Sequence, residues 1–172
     1  FLIGINPGRF GAGVTGVPFT DPIRLQEKCR IPNDLPKRME LSSVFVYEMI
    51  EAFGGAQYFY SKVFFTSVSP LGFVKDGVNL NYDDIPELRT YLEPYMVKSL
   101  QQQAAIGGMR HIAFCMGQGE NYKYLQRLNE NHGLFDLIGS LPHPRWIMQY
   151  RLKRKQEFIT EYLSKIGEAL NL

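Results

Sequence analysis

Hydrophobic positions along the chain alternate between short apolar runs and longer stretches at helical spacing. Phe1-Leu2-Ile3-Gly4-Ile5 is a short run that stops at the turn signal Asn6-Pro7-Gly8, so residues 1–5 read as a strand. Residues 6–38 are rich in Gly and Pro and read largely as loop. From 42 to 53, Val44, Tyr47 and Ile50 recur at helical spacing, and Gly54-Gly55 closes the helix. Residues 62–66 read as a buried strand that ends near Pro70. Asp83 or Asp84 caps a further helix, with Pro86 in its first turn and Leu88, Leu92, Met96 and Leu100 on its apolar face. Pro94 is expected to kink or split that helix, and Gly107-Gly108 to end it. Residues 111–116 give a third strand and 119–130 a helix with Tyr122, Leu125 and Leu128 on one side. Residues 134–139 give a fourth strand, and 149–169 a last helix with Phe158, Tyr162, Ile166 and Leu170 inward.

The alternation of four strands with four helices predicts an α/β fold: a three-layer α/β/α domain with a four-stranded parallel sheet. One domain is expected over residues 1–172, which suits the length. In such sheets ligands sit beyond the carboxyl ends of the strands, here the segments that begin at Asn6, Ser67, Gly117 and Leu141. No stretch approaches the ~20 apolar residues of a membrane-spanning helix. The net charge of +2 points only weakly to an anionic partner, but Arg145, Arg151, Lys153, Arg154 and Lys155 crowd one segment beside His143 and Trp146. Cys29 and Cys115 are isolated, so neither a disulfide framework nor a zinc site is expected, and a reducing cytoplasm is the default location. Because the chain opens inside a strand, residues before Phe1 are expected, and a targeting signal among them stays open.

Three segments carry candidate chemistry. The first runs Gly4-Ile5-Asn6-Pro7-Gly8-Arg9-Phe10-Gly11-Ala12-Gly13-Val14-Thr15-Gly16-Val17-Pro18-Phe19. It lacks the Gly-Lys-Ser/Thr ending of a phosphate-binding P-loop, and its glycines alone mean only tight turns. The second, Phe64-Phe65-Thr66-Ser67-Val68-Ser69-Pro70-Leu71, reads by itself as a strand end with a Ser-x-Ser turn. In the third, Leu141-Pro142-His143-Pro144-Arg145-Trp146, a loop histidine between prolines is by itself more often structural than catalytic. Gly117-Gln118-Gly119 has no third glycine and is better explained by helix entry than by a dinucleotide; His111 and His132 receive no catalytic role.

As whole strings these segments resemble the uracil-DNA glycosylase superfamily, in particular its single-strand-selective monofunctional members. The Asn-Pro-Gly, the Phe-Gly and the Thr-Gly-Val-Pro-Phe match that family's motif 1 in spacing, and His143-Pro144-Arg145 is similar to a shortened motif 2. Ser67 stands where the family usually has an asparagine that reads the uracil edge; this and the short His-Pro-Arg string resemble a second, bacterial subgroup.

The resemblance implies a monofunctional DNA glycosylase of base excision repair that acts on uracil or a related damaged base, with no cofactor and no metal. It implies Asn6 as the residue that positions water and His143 as the donor to the departing base. Gly8, Phe19 and Ser67 would contact the flipped base, and Arg145, Trp146, Arg151 and Arg154 the DNA. The expected partner is single- or double-stranded DNA, met by a monomer with no membrane association. Two rivals remain open on sequence: a nucleic-acid-binding member of the fold without catalysis, and a nucleotide or nucleoside hydrolase. With a hydroxyl at position 67 in place of an amide, weaker discrimination is expected, admitting uracil, 5-hydroxymethyluracil or a deaminated purine.

Overall fold

The computed structural model describes residues 1–107 and 111–171. Its strands are β1 (Leu2–Gly4), β2 (Phe65–Ser67), β3 (Phe73–Lys75), β4 (Val78–Leu80), β5 (Ile112–Met116) and β6 (Leu137–Leu141). Its helices are α1 (Ala12–Thr15), α2 (Pro22–Glu27), α3 (Leu41–Phe53), α4 (Ala56–Tyr60), α5 (Pro86–Gly107), α6 (Glu120–His132), α7 (Pro144–Tyr150) and α8 (Lys155–Leu170). The chain divides into two compact units. The first comprises Phe1–Arg9 and Phe64–Leu141, the second Phe10–Val63 and Pro142–Leu172.

The first unit holds the parallel four-stranded sheet that the alternation predicts, in the order β2-β1-β5-β6. Leu2 pairs with Phe65 on one side and Phe114 on the other, and β5 runs beside β6 from Ile112↔Leu137 to Met116↔Leu141. The strands form because their apolar residues find partners: Ile3, Cys115 and Ile138 join Met96 and Leu100 of α5 and Leu125 and Leu128 of α6 in one core. Burying each large aliphatic side chain of that set contributes about 1.5–3 kcal/mol. The chain leaves β1 for β2 on one side and returns to β5 on the other. The carboxyl ends of β1 and β5 therefore flank a topological switch point, where such sheets bind ligands, and Asn6 follows β1 there.

Several expectations change in this unit, among them the fourth strand, which runs Leu137–Leu141 and not 134–139. Pro94 lies inside α5 but does not split it; the helix runs from Pro86 to Gly107. Pro94 is exposed, and the packing of Leu92, Met96 and Leu100 outweighs the lost backbone bond. Of the expected Gly107-Gly108 stop, Gly108 lies outside the described residues. Asp84 turns back, its Oδ2 accepting from the Asn81 N–H at 2.7 Å. The strand expected over 62–66 is shifted to Phe65–Ser67. After it comes an antiparallel hairpin, β3–β4, that the periodicity did not reveal. Its turn is Asp76-Gly77, both at positive φ (50° and 72°), the two-residue geometry that suits the twist of a hairpin.

The second unit is helical. Phe45, Val46 and Ile50 of α3, Ile147 of α7 and Ile159, Tyr162 and Ile166 of α8 are all buried, with Phe45 edge-on to Tyr162. The segment read as loop contains the short helices α1 and α2, and α4 follows Gly54-Gly55. The last helix starts earlier than expected and is interrupted. His143-Pro144 opens α7, a 3-10 turn covers Leu152–Arg154, and α8 follows. The break falls where no side chain between Met148 and Phe158 is buried, so no packing holds a continuous helix. No helix among the described residues is long and apolar enough to cross a membrane.

Candidate functional site

In the first unit the loop after β1 is gripped by the hairpin and by the backbone that follows it. The Asn6 amide nitrogen donates to the Leu80 carbonyl at 3.1 Å, and its Oδ1 accepts from the Tyr82 N–H at 3.1 Å. These partners assign the amide orientation, because a carbonyl needs the NH2 end and an N–H the oxygen end. Oδ1 keeps a second lone pair for another donor. Farther along the loop the Arg9 N–H donates to Asn79 Oδ1 at 3.1 Å. A Cβ on Gly72 would stand 2.7 Å from the Pro7 carbonyl oxygen, so only glycine lets the chain pass there. Gly8 is half-buried in the same turn.

Ser67 ends β2 in register with Gly4, so the structure brings the Ser67 and Asn6 segments to the same end of paired strands. The Ser69 N–H extends this pairing to the Ile5 carbonyl at 3.0 Å. Ser67 is buried, and its hydroxyl donates to the Ser69 carbonyl at 2.7 Å, leaving the oxygen as an acceptor. Beneath the loop, the fully buried Tyr82 donates its phenol proton to Asn121 Oδ1 at 2.7 Å, and the Asn121 amide reaches Cys115 Sγ at 3.2 Å. Burial pushes the Cys115 thiol up to about 12, so it stays protonated and chemically quiet.

In the second unit the loop that carries Phe19 is held by its own side chains. Thr15 Oγ1 donates to the Thr20 carbonyl at 2.7 Å and accepts from the Val17 N–H at 3.1 Å. Thr20 Oγ1 lies 2.9 Å from the Tyr47 hydroxyl. The fully buried Asp21 carboxylate caps α2 by accepting from the Arg24 N–H at 2.9 Å; it also accepts from Arg24 Nη1 at 3.2 Å and from the Glu40 N–H at 3.0 Å. The Asp21 N–H in turn donates to Ser43 Oγ at 3.1 Å. Between these clamps Phe19 adopts φ of 55°, a left-handed conformation that costs a bulky L-residue of the order of 1–3 kcal/mol.

His143 is the N-cap of α7. Its Nδ1 accepts from the Arg145 N–H at 3.1 Å, which places the ring proton on Nε2. Burial first, and then the Arg145 charge, depress its pKa to about 4, so at neutral pH the ring is an uncharged Nε2–H donor. The Phe19 and His143 ring centroids are 6.5 Å apart, with the planes tilted by 56°. Pro142 is fixed by a hydrogen bond from the Tyr162 hydroxyl to its carbonyl. Glu40, which the sequence did not single out, stands over Gly11: a Cβ there would meet Glu40 Oε2 at 1.8 Å. Burial raises the Glu40 pKa, Asp21 adds to the rise, and Arg145 opposes it.

Arg145, Arg151, Lys153 and Arg154 lie on the exposed surface of α7 and the 3-10 turn, and the half-buried Lys155 opens α8. Arg151 lies over the Trp146 ring at 4.8 Å, and Trp146 meets Phe158 edge-on. Arg154 is exposed but ion-paired with Glu157 at 2.7 Å, and Lys155 is paired with Glu48. Arg145 and Lys153 are exposed. Tyr150 and Leu152, which sequence reasoning missed, are 66% and 55% exposed within this cationic surface. Asn79 and Tyr82 were also missed. The Asp76-Gly77 pair between two short apolar runs was the signal that could have revealed their hairpin.

The model of the family described as "Uracil DNA glycosylase superfamily" matches residues 1–167. The crystal structure of wild-type SMUG2 from Pedobacter heparinus is similar, with 40% sequence identity and a TM-score of 0.93, over 99% of this chain and 75% of that one. Among curated proteins none matches.

Proposed function

This chain belongs to the uracil DNA glycosylase superfamily, and from that premise we propose that it hydrolyses the N-glycosidic bond of uracil and related damaged bases in DNA, leaving the abasic strand uncut. The observation that carries the reading is His143. Its ring is neutral, its proton is assigned to Nε2 by the helix cap, and it stands beside Phe19.

Breaking the bond leaves positive charge on the sugar and negative charge on the base, an oxocarbenium-like transition state. A neutral imidazole N–H donates to the base oxygen as that charge grows, and keeps its proton. Phe19 stacks on the base once it has left the helix, a contact worth ~1–3 kcal/mol. Asn6 accepts a hydrogen bond from the attacking water through the remaining lone pair of Oδ1. An amide is no base, so it orients the water without deprotonating it; as the C1′–O bond forms and the C1′–N bond breaks, the water's proton passes to solvent and the base leaves as an anion that is protonated in turn, and modest turnover follows. Ser67 presents its hydroxyl oxygen to the base edge; as a single rotatable group it enforces one donor–acceptor pattern less strictly than an amide. Gly8 leaves room beside the base. Arg145 and Trp146 wedge into the helix where the base leaves it, and Arg151 contacts phosphates; Arg154 joins Arg151 only at the expense of its Glu157 pair.

The test is formation of abasic sites in single- and double-stranded oligonucleotides that contain uracil, with free deoxyuridine as the control. Cleavage of DNA by the wild type, its near-loss in Asn6→Ala and an intact nucleoside are the expected results. An Asn6→Ala variant at full rate removes Asn6 from the mechanism, and activity on deoxyuridine without activity on DNA overturns the reading.

A further inference from the structure

We propose that Asn79, on β4, is a positioning residue for glycosidic cleavage, because its side chain locks the turn that carries Asn6. The inference rests on the glycosylase reading and adds a residue to it. Hydrogen bonds join residues 79–82 to the loop after β1, three of which bear on its geometry. Two of them, from Asn6 to Leu80 and from Tyr82 to Asn6, use main-chain groups on the 79–82 side that any residue would supply. The third, from the Arg9 N–H to Asn79 Oδ1, depends on one side chain.

Its placement matters. Asn6 and Arg9 are separated by Pro7 and Gly8, and glycine is the residue whose backbone is least restricted. The bond to Asn79 ties the far side of that free joint. Gly72 supports the middle of the turn, with its Cα against the Pro7 carbonyl. The segment is thus held at Asn6, Pro7 and Arg9, and the water-facing oxygen of Asn6 has a fixed direction. Phe73 anchors the hairpin to the core, whereas Val74 and Val78 are 55% and 62% exposed, and that anchor does not depend on Asn79. Losing the Asn79 acceptor therefore loosens the turn while the sheet stays folded.

Misplacing a reacting group by ~1 Å costs up to about a hundredfold in rate, so loosening one end of the turn is expected to cost about tenfold. The experiment measures single-turnover cleavage of a single-stranded uracil oligonucleotide, together with affinity for the same oligonucleotide carrying thymine. Wild type is compared with Asn79→Ala, Asn79→Leu and Asn79→Asp, and melting curves verify folding. Asn79→Ala and Asn79→Leu are expected to cleave about tenfold more slowly while binding DNA within about twofold of wild type. Asn79→Asp keeps an oxygen for the Arg9 N–H and is expected to recover most of the rate. Asn79→Leu fills the same space without the acceptor, so wild-type cleavage by this variant overturns the inference alone. A loss confined to DNA affinity, or Asn79→Asp as slow as Asn79→Ala, overturns it too. A wild type that leaves uracil DNA intact overturns the glycosylase reading and this inference with it.

Discussion

The two loops that carry the candidate chemistry are built by opposite means. The Asn6 loop of the first unit is held from outside, largely by main-chain groups of residues that follow it by more than seventy positions. The Phe19 loop of the second unit is held by short polar side chains next to it in sequence, Thr15, Thr20 and Asp21. Main-chain pinning tolerates almost any residue at the pinning position, whereas side-chain pinning demands particular residues. The second kind is therefore vulnerable to mutation and visible in a sequence; the first is robust and hidden.

That contrast can be pressed in order of effect. The largest belongs to His143, whose Nε2–H is the one donor with an assigned tautomer. His143→Ala is expected to cut single-turnover cleavage about a hundredfold or more, the usual cost of losing one donor to a developing anion. A rate within threefold of wild type would place the stabilising donor elsewhere.

Next comes the loop framework. Asp21→Ala removes a buried carboxylate that serves three donors, and is expected to destabilise the second unit by about 3 kcal/mol in chemical denaturation. Asn79→Leu on the hairpin, measured the same way, is expected to cost no more than about 1 kcal/mol. Asn79 is the side-chain tie of a loop otherwise held by main-chain groups, so similar losses for the two would mean that the Asn6 loop leans on side chains as heavily as the Phe19 loop does.

The smallest effect is a pH dependence. The folded pKa of His143 is about 4, below its ordinary value of 6.5, so between these values the unfolded chain binds more protons at this site. The contribution is therefore complete above pH 6.5 and is lost as the pH falls toward 4. Glu40, with a raised pKa, acts in the opposite sense and gains as it protonates. Wild type is expected to lose more melting temperature between pH 7 and pH 5 than His143→Gln does; parallel curves would contradict the depressed histidine.

The same distinction explains what was legible. The parallel sheet could be read because β1 and β5 are apolar runs and α5 and α6 carry apolar residues at helical spacing. The family could be read because Thr-Gly-Val-Pro-Phe and His-Pro-Arg are side-chain and turn chemistry. The grip on Asn6 could not, since a carbonyl at Leu80 and an N–H at Tyr82 leave no mark on residue choice. The start of α7 was hidden for another reason. His143-Pro144 fits a loop between prolines as well as an N-cap followed by proline, and only the bond from the Arg145 N–H to Nδ1 decides between them. The exposed Tyr150 and Leu152 had no partner pattern to betray them, because the helix breaks just there.

The backbone at Phe19 also narrows what evolution can do at that position. Left-handed φ is nearly closed to valine, isoleucine and threonine, and among ordinary residues glycine, asparagine and aspartate enter it most easily. None of these offers an aromatic face. Drift at residue 19 would therefore first lead to smaller or polar side chains that relieve the main chain and forfeit the ring, so only selection for the ring itself would keep phenylalanine in so uncomfortable a seat.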